Sequence, residues 1–330
     1  VCYFKCQFCA FSKGKLTENL RGQPYVLDLD EIGRRTAEAW DRGATEVCLQ
    51  GGIHPAYTGK TYLDILEVVK ASAPDIHVHA FTPLEVKQGA ETLGMPIQEF
   101  LMMLKDAGLG TLPGTAAEIL DDEVRATLCP DKLNTAEWFS VMRAAHEIGL
   151  RSTATIMFGH MESYRHWARH LLRLRQAQSE SGGFSELVPL PFVAEEAPIY
   201  LKGLARMGPT FREAILMHSV ARLALFPWFS NIQASWVKLG SEGVAAALKA
   251  GANDIGGTLM NESITRAAGA AHGEEMPPHA MEAVAYGIGR PIRQRATLYG
   301  FPPESQQQRA RQAAPLAPIV NRAAKEYERA

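Results

Sequence analysis

The sequence lacks any apolar run of the roughly 20 residues that a membrane-spanning helix needs, and no signal peptide opens the chain. It also lacks low-complexity segments and linkers rich in proline, glycine or serine, which argues against disorder. Its formal net charge is only -2, so it gives no reason to expect nucleic acid or a membrane surface as partner. We therefore expect a cytoplasmic protein that acts on small molecules.

Cysteine is scarce, with five in 330 residues, which excludes a disulfide framework for a chain of this size. Three of the five fall in one short run, Cys2-Tyr3-Phe4-Lys5-Cys6-Gln7-Phe8-Cys9. At this cysteine content, chance would produce the C-x3-C-x2-C spacing in only about one in a thousand chains of this length. The run therefore indicates a metal site in a reducing compartment, whereas Cys48 and Cys129 are expected to be small buried residues.

Three thiolates can bind three irons of a [4Fe-4S] cluster and leave the fourth iron open for another ligand. S-adenosylmethionine (SAM) uses such an open iron: its amino and carboxylate groups chelate it before cleavage to a 5′-deoxyadenosyl radical. The alternative is a tetrahedral zinc site, for which Cys48, Cys129 or His54 could supply the fourth ligand. A zinc-stapled binding protein without catalysis therefore remains open at this point.

Short apolar runs alternate with amphipathic segments, which is the pattern of repeated βα units. The predicted strands are 46–50, 76–81, 110–112, 152–158, 187–190, 232–236 and 254–258. The predicted helices are 29–42, 61–72, 97–107, 135–148, 165–177, 210–225 and 241–250, and four of them are followed by a glycine that could end the helix in the left-handed conformation, at Gly43, Gly108, Gly149 and Gly251. The predicted fold class is α/β, a TIM-type (β/α)8 barrel over 1–300 that lacks its first strand here, with a peripheral tail over 301–330.

Working residues of such barrels gather at the carboxyl ends of the strands. The glycines of Gln50-Gly51-Gly52 would let the backbone approach a ligand closely, or would form an ordinary turn. His54 is a candidate substrate group or a helix-start residue. Glu118 could accept two hydrogen bonds from a ligand or merely favour a helix N-terminus, and Ile156 could contact a ligand or be plain core.

Polar residues near the later strand ends are candidates for orienting substrates in a site shielded from water. They are Gln233, Ser235, Trp236, Asn253, Asp254 and Thr258. Glu195 and Glu196 follow the strand predicted at 187–190 and could bind substrate hydroxyls or an amino group. Each of these residues alone fits a core, loop or solvent-facing position equally well, so the catalytic residue stays unknown.

Several segments together resemble FO synthase, most closely its C-terminal, CofH-type half. They are 1–22, 49–55, 112–125, 152–160, 189–203, 231–240 and 256–270. The resemblance implies a radical SAM transferase in the biosynthesis of FO, the deazaflavin chromophore of coenzyme F-420. In such enzymes the 5′-deoxyadenosyl radical attacks L-tyrosine, whose 4-hydroxybenzyl unit joins C5 of 5-amino-6-(D-ribitylamino)uracil.

The resemblance also implies a cofactor site and partners. The [4Fe-4S] cluster would lie on Cys2, Cys6 and Cys9, and SAM contacts would come from Phe8, Gln50, Gly51, Gly52, Glu118 and Ile156. A CofG-type radical SAM domain, fused upstream or separate, would close the deazaflavin ring, and a flavodoxin or ferredoxin would donate electrons. The nearest rival is the dehypoxanthine futalosine cyclase of menaquinone biosynthesis, which shares the cysteine spacing and a similar QGG segment.

Overall fold

The computed structural model describes residues 1–10, 25–260, 262, 264–318 and 322–323. They fall into two compact units, each taken by itself below. The first contains Val1–Phe4, Phe11–Leu112 and Arg293–Ala330, and the second contains Lys5–Ala10 and Pro113–Ile292. Among the described residues, no helix is both long and apolar enough to cross a membrane.

Strands and helices alternate along most of the described chain. The strands are β1 (Tyr25–Val26), β2 (Glu46–Leu49), β3 (His77–Ala80), β4 (Thr111–Leu112), β5 (Arg151–Phe158), β6 (Phe184–Pro191) and β7 (Arg322–Ala323). The helices are α1 (Leu29–Asp41), α2 (Gly59–Ser72), α3 (Pro83–Leu93), α4 (Ile97–Asp106), α5 (Asp122–Leu128), α6 (Thr135–Glu147), α7 (Tyr164–Ser181), α8 (Pro198–Leu201), α9 (Phe211–Leu225), α10 (Trp236–Lys249), α11 (Ile264–Ala267), α12 (Pro278–Gly287) and α13 (Glu304–Arg311).

The first unit is centred on parallel pairing of β2 with β3 and of β3 with β4. Val78 and Ala80 on β3 are fully buried, as are Leu66 and Val69 on α2. A second, antiparallel pair joins β1 to β7. Parallel strands that each lead into a helix are the βα arrangement that the alternation in the sequence predicts.

The same unit includes the helix α13. Gln306 on this helix is 2% exposed, and its side-chain amide donates to the carbonyl oxygens of Trp40 (3.1 Å) and Ala44 (3.0 Å). Trp40 lies in the last turn of α1, where its carbonyl also accepts the N–H of Gly43 at 3.0 Å, and Ala44 lies just after the helix. The division into a barrel over 1–300 and a tail over 301–330 stays a prediction.

The second unit is built on parallel pairing of β5 with β6. Ser152 lies opposite Phe184, the register shifts between Ser152 and Ala154, and the pairing then runs regularly from Ala154 opposite Leu187 to Phe158 opposite Pro191. Single parallel bridges continue the pairing from Leu187 to Ile232 and from Gln233 to Asp254. The strands predicted at 232–236 and 254–258 are therefore reduced to isolated bridges. The first of them is wrong in its last residue, because Ser235 is the N-cap of α10 and Trp236 already lies in that helix.

The helices follow local signals that the sequence carries. All four glycines predicted to end helices have positive φ, namely 89° at Gly43, 105° at Gly108, 79° at Gly149 and 125° at Gly251. Helix α10 starts earlier than the predicted 241, because α10 contains a bend at Gly240 (φ 63°, ψ 178°) and the periodicity is regular only after it.

Helix α3 was not predicted, although its start carries a strong signal. Thr82 and Glu85 form a reciprocal capping box around Pro83, in which each side chain accepts from the other residue's backbone N–H. Proline at the first helical position costs no hydrogen bond, so this sequence starts a helix firmly.

Candidate active site

In the first unit, the turn after β2 lies against the first residues of the chain. The backbone N–H of Tyr3 donates to the carbonyl of Ile53 at 3.1 Å. A methyl group at Gly52 would come within 2.5 Å of the Val1 carbonyl oxygen and 2.9 Å of the Cys2 Cβ, whereas one at Gly51 would meet nothing within 4 Å. Glycine is therefore required at position 52 for packing, and position 51 leaves open space for a ligand.

The neighbours of this glycine pair are held in different ways. Gln50 is exposed, and its amide lies 3.2 Å from the sulfur of Cys48. His54 is buried, and its Nδ1 accepts the backbone N–H of Ala56 at 3.1 Å. The turn thus uses one nitrogen of the His54 ring. Cys129 is buried as expected, but Cys48 is exposed, which corrects the expectation of a buried thiol there.

In the second unit, the segment carrying Cys6 and Cys9 is anchored by its backbone. The N–H of Lys5 donates to the Asp131 carboxylate at 2.7 Å, and the N–H of Gln7 donates to the carbonyl of Leu128 at 2.9 Å. Cys6 and Cys9 are both partly buried, and neither forms a disulfide. The thiols are therefore held on a fixed stretch of backbone.

Lys132 connects this segment to the predicted SAM residue Glu118. Its ammonium lies 2.9 Å from the Glu118 carboxylate and 5.1 Å from the ring centroid of Phe8. Both charged side chains are 10% exposed. Burial alone would lower the pKa of Lys132, but the negative charge of Glu118 raises it above its usual value. The ion pair places a carboxylate beside the Cys6 segment.

Glu118 has a left-handed backbone, with φ of 47°. This conformation is unfavourable for a residue with a side chain, and it persists only where the surroundings impose it. Two contacts do so here: the Glu118 carbonyl accepts the N–H of Met157 on β5 at 2.7 Å, and Lys132 binds the carboxylate. Ile156, the neighbouring residue on β5, is fully buried.

The loop that carries Glu118 encloses a buried arginine. Arg125, at 3% exposure, donates to backbone carbonyls on both sides of Glu118 and beyond. Its acceptors are Ala116, Ala117, Ile119 and Leu133. Carbonyls that a buried loop would leave without donors are thereby satisfied, so the conformation of the Glu118 loop depends on this side chain.

The predicted residues of the later strand ends form a second group. The Gln233 amide lies 3.4 Å from a carboxylate oxygen of Glu186, and the Asp254 carboxylate accepts the N–H of Gly256 at 2.6 Å. Trp236 is buried, and its indole N–H donates to the carbonyl of Gly257 at 2.9 Å. These contacts fix the two loops, 233–236 and 254–258, at the same strand ends.

The remaining predicted residues have other surroundings. The amide oxygen of Asn253 is engaged by two other residues. It accepts from the Ile232 N–H at 2.9 Å and from the Arg222 guanidinium at 2.7 Å. Glu195 is exposed, and Glu196 donates its backbone N–H to the carbonyl of Ala268 at 3.3 Å. The carbonyl of Thr258 accepts from Met276 at 2.9 Å. None of these contacts involves Glu118 or the cysteine segment.

Sequence reasoning missed Lys132 and Arg125. Both act on the Glu118 loop, and each lies several residues away from Glu118 in the chain. Arg125 ends the recognised segment 112–125, but the sequence assigns it no role, and Lys132 lies outside the recognised segments. Their roles follow from contacts that only the folded chain creates. Arg125 and Lys132 flank Cys129 and Pro130, and no periodic pattern in this stretch indicates a role for either residue.

The residues fit an iron–sulfur cluster and a nucleoside ligand. Three thiols without disulfide partners offer the donor set of a cluster with one open iron. Within the first unit, Gly51 leaves open space for a ligand. Within the second unit, the buried carboxylate of Glu118 suits a ligand that carries amino or hydroxyl groups.

Sequence comparisons agree with this donor set. The profile of the Radical SAM superfamily matches residues 1–174, and the profile of the CofH/MqnC C-terminal region matches residues 181–307. The chain belongs to the radical SAM superfamily. This radical SAM chain is also 50% identical over 299 residues to the 5-amino-6-(D-ribitylamino)uracil–L-tyrosine 4-hydroxyphenyl transferase of Methanopyrus kandleri, covering 91% of this chain and 80% of that protein. It therefore belongs to the CofH-type family.

Longer bacterial relatives match the CofH-type chain equally well. The FO synthase of Streptomyces coelicolor is 50% identical over 311 residues, and that of Mycobacterium tuberculosis is 49% identical over 301 residues. The matches cover 94% and 91% of this chain but only 35% of each relative. The chain thus spans about a third of the length of these FO synthases.

Solved structures share the fold of the CofH-type chain. The FeFe-hydrogenase maturase HydG from Carboxydothermus hydrogenoformans has a TM-score of 0.63 at 13% identity, covering 91% of this chain and 66% of that one. Methylornithine synthase (PylB) has a TM-score of 0.62 at 17% identity, covering 88% and 80%. The predicted α/β fold class of radical SAM barrels is confirmed.

Proposed function

We propose that this protein cleaves L-tyrosine and joins its 4-hydroxybenzyl unit to C5 of 5-amino-6-(D-ribitylamino)uracil. The observation that carries the proposal is the 50% identity to the archaeal transferase across four fifths of that protein. Membership of the superfamily alone supports only radical chemistry, because relatives with the same fold act on many substrates.

Cys2, Cys6 and Cys9 would hold the [4Fe-4S] cluster, and Gly51, Gly52 and Glu118 would hold SAM. When bound, these groups supply the 5′-deoxyadenosyl radical that abstracts a hydrogen atom from tyrosine. The carboxylate of Glu118 can accept two hydrogen bonds from ribose hydroxyls or an amino group, and Lys132 holds that carboxylate in place at 2.9 Å. Phe8, Gln50 and Ile156 complete the proposed SAM contacts.

The substrates would lie among the polar residues of the later strand ends. Gln233 and Asp254 are fixed there by contacts with Glu186 and Gly256. His54, Glu195, Trp236, Asn253 and Thr258 are further candidates. A buried site with few fixed polar groups can orient two ligands while it excludes water from a radical.

Two partners complete the proposal. A CofG-type radical SAM domain would close the deazaflavin ring, in keeping with the greater length of the FO synthase relatives. A flavodoxin or ferredoxin would supply the electron that cleaves SAM.

The decisive experiment is a single turnover of the anaerobically reconstituted protein with SAM, tyrosine and the diaminouracil, analysed by mass spectrometry. We expect 5′-deoxyadenosine together with the coupled 4-hydroxybenzyl product. Consumption of dehypoxanthine futalosine with no coupled product would contradict the proposal. Metal analysis accompanies it: about four irons with sulfide support the cluster, and one zinc without broad visible absorbance refutes it.

Variants of two cysteines test the ligand set. Cys6→Ala should abolish the cluster and turnover while the far-ultraviolet circular dichroism stays unchanged, because the thiol lies on a loop. Cys48→Ala is the matched control for the cluster, since it removes an exposed thiol outside the triplet and should leave the iron content intact. Retained deoxyadenosine formation by Cys6→Ala would contradict the assignment.

A further inference from the structure

Lys238 lies at the carboxyl end of a strand segment in the second unit. In this segment, Ile232 forms a parallel β-bridge with Leu187, and Gln233 forms one with Asp254. The segment then leads directly into α10. Lys238 belongs to the first turn of that helix, where its backbone N–H donates to the Ser235 carbonyl at 3.2 Å. In barrels of parallel strands, residues at this end of a strand face the ligand site.

The turn that carries Lys238 is fixed on both sides. Before it, the buried indole of Trp236 donates to the carbonyl of Gly257 at 2.9 Å. After it, Gly240 makes a bend with φ of 63°, and a methyl group there would come within 2.8 Å of the His272 ring. A side chain presented from such a braced turn is pre-organised for binding.

The ammonium of Lys238 has no hydrogen bond or ion pair with any residue that the structure describes. Two carboxylates act on it at longer range, those of Glu262 and Glu118. Each is engaged elsewhere: Glu262 accepts from the backbone N–H (3.0 Å) and the hydroxyl (2.9 Å) of Thr265, and Glu118 binds Lys132. The cation is therefore near negative charge but has no direct partner.

This arrangement costs free energy that an anion would restore. Burial lowers the pKa of Lys238 to about 8, and the carboxylates of Glu262 and Glu118 oppose that shift. At pH 7 roughly nine tenths of the side chain is still charged. Lys238 is partly exposed, so its ammonium keeps some contact with water. A half-buried cation without a counter-ion still gains more from a carboxylate than a fully solvated one does.

We propose that Lys238 binds the carboxylate of an α-amino acid in the active site. The inference rests on the proposed function, in which two molecules offer this group: L-tyrosine and the methionine moiety of SAM. Free tyrosine is a zwitterion, so its ammonium would face the carboxylate of Glu262 or Glu118 while its carboxylate meets Lys238. In SAM the amino group is a ligand of the iron, so only the carboxylate of SAM is available to Lys238. The diaminouracil has no carboxylate and cannot make this contact.

The test pairs each ligand with an analogue that lacks the carboxylate. Binding of tyrosine, tyramine, SAM and decarboxylated SAM to the anaerobically reconstituted protein is measured by equilibrium dialysis. The variants are Lys238→Met, which removes the charge at similar length, and Lys238→Arg, which keeps it. Lys249→Met, at the exposed end of the same helix, is the matched control.

We expect Lys238→Met to lower the binding affinity for either tyrosine or SAM at least tenfold. The affinity for the corresponding decarboxylated analogue should fall less than twofold. Lys238→Arg should recover part of the affinity, and Lys249→Met should match the wild type. Whichever ligand weakens identifies the source of the carboxylate. Unchanged affinity for both, or equal weakening of a ligand and its analogue, overturns the inference.

The outcomes separate this inference from the proposed function. Wild-type protein that binds tyrosine and cleaves SAM but forms no coupled product overturns the proposed function alone. Wild-type protein that couples the substrates, together with a Lys238→Met variant of unchanged affinities, overturns only the role of Lys238. Wild-type protein that binds neither ligand overturns both.

Discussion

Glu118 is held in an unfavourable backbone conformation by its surroundings, and its carboxylate forms a buried pair with Lys132. We expect Glu118→Gln to weaken SAM binding at least tenfold, because an amide is a poorer acceptor for ribose hydroxyls and for an ammonium. It should also lower the free energy of unfolding by about 3 kcal/mol, since Lys132 is left buried without a counter-ion. Dialysis with SAM and urea denaturation measure the two effects.

The double variant Glu118→Gln with Lys132→Met separates binding from folding. It removes both charges, so it should regain much of the lost stability while SAM binding stays weak. Recovery of both properties would show that Glu118 serves only the fold. Unchanged SAM affinity in the single variant would remove Glu118 from the proposed SAM site.

Residues of this site differ in how far the sequence could predict them. Cys2, Cys6 and Cys9 are close in the chain, so their spacing alone carries the chemistry, and the glycine pair follows a recognisable strand. Lys132 could not be predicted, because its partnership with Glu118 arises when the chain between them folds into α5 and a loop. Asn253 has the same polar character as its neighbours, yet its amide bonds with Ile232 and Arg222 instead.

At the scale of elements, the junction between β5 and α7 depends on one buried carboxylate. Glu162 accepts the backbone N–H groups of Gly159 (2.5 Å) and His160 (2.8 Å) and the indole N–H of Trp167 (2.7 Å). Burial alone would raise the pKa of Glu162, but the His160 ring, whose Nδ1 lies 3.0 Å from the carboxylate, together with the bonds from Gly159 and Trp167, outweighs burial and lowers the pKa to about 2.

This lowered pKa makes the junction sensitive to acid. The folded state favours the charged form, so the stabilisation is complete above the usual pKa of 4.5 and is lost as the pH falls towards 2. We expect Glu162→Gln to lower the free energy of unfolding at pH 7 by roughly 3 kcal/mol. The difference from wild type should shrink as the pH falls below 4.5, which urea denaturation at several pH values measures.

A matched control for this variant lies on the same helix. Glu180 is exposed near the end of α7, so Glu180→Gln should change stability little at any pH. A penalty for Glu162→Gln that is the same at pH 3 and pH 7 would contradict the role given to the carboxylate charge.

Elements with a single strong signal were predictable, and those shaped by neighbours were not. The apolar run of β5 and the periodicity of α9 match their observed positions to within one residue at each end, because both are long and regular. The segment 232–236 reads as a strand locally. It becomes one bridge and a helix start, because Ser235 ends the extended backbone and Trp236 turns towards Gly257.

At the scale of the whole molecule, the first unit takes chain from widely separated parts of the sequence. Helix α13 contributes through Gln306, whose amide donates to the Trp40 carbonyl in the last turn of α1 and to the Ala44 carbonyl just after it. We expect Gln306→Ala to lower the free energy of unfolding by about 1 kcal/mol, because the partly buried Ala44 carbonyl loses this donor while the Trp40 carbonyl keeps the Gly43 N–H. Urea denaturation of the purified protein measures this change.

Gln308 provides the comparison on the same helix. It is exposed and bonds only with Glu304 at 3.3 Å among the residues described, so Gln308→Ala should be nearly neutral. Equal stability of the Gln306 variant and the wild type would show that α13 adds nothing to the first unit.

The fold class could be predicted because the βα alternation repeats along the chain, and each repeat supports the same reading. The partition of the chain into two units could not be predicted from the sequence, since it depends on which distant segments pack together. Nothing in the local composition of 304–311 indicates that Gln306 reaches α1. Contacts between distant parts of a chain leave no periodic trace in the sequence.

The bond from Gln306 to Trp40 also sets an order for biosynthesis. Its two ends are 266 positions apart, and a ribosome that adds about 5–20 residues per second needs roughly 13–50 s to bridge them. Throughout that interval the Ala44 carbonyl must bond with water or with a chaperone, whereas the Trp40 carbonyl already has the Gly43 N–H as a donor. Completion of the first unit is therefore a late event, timed by translation rather than by the speed of local folding.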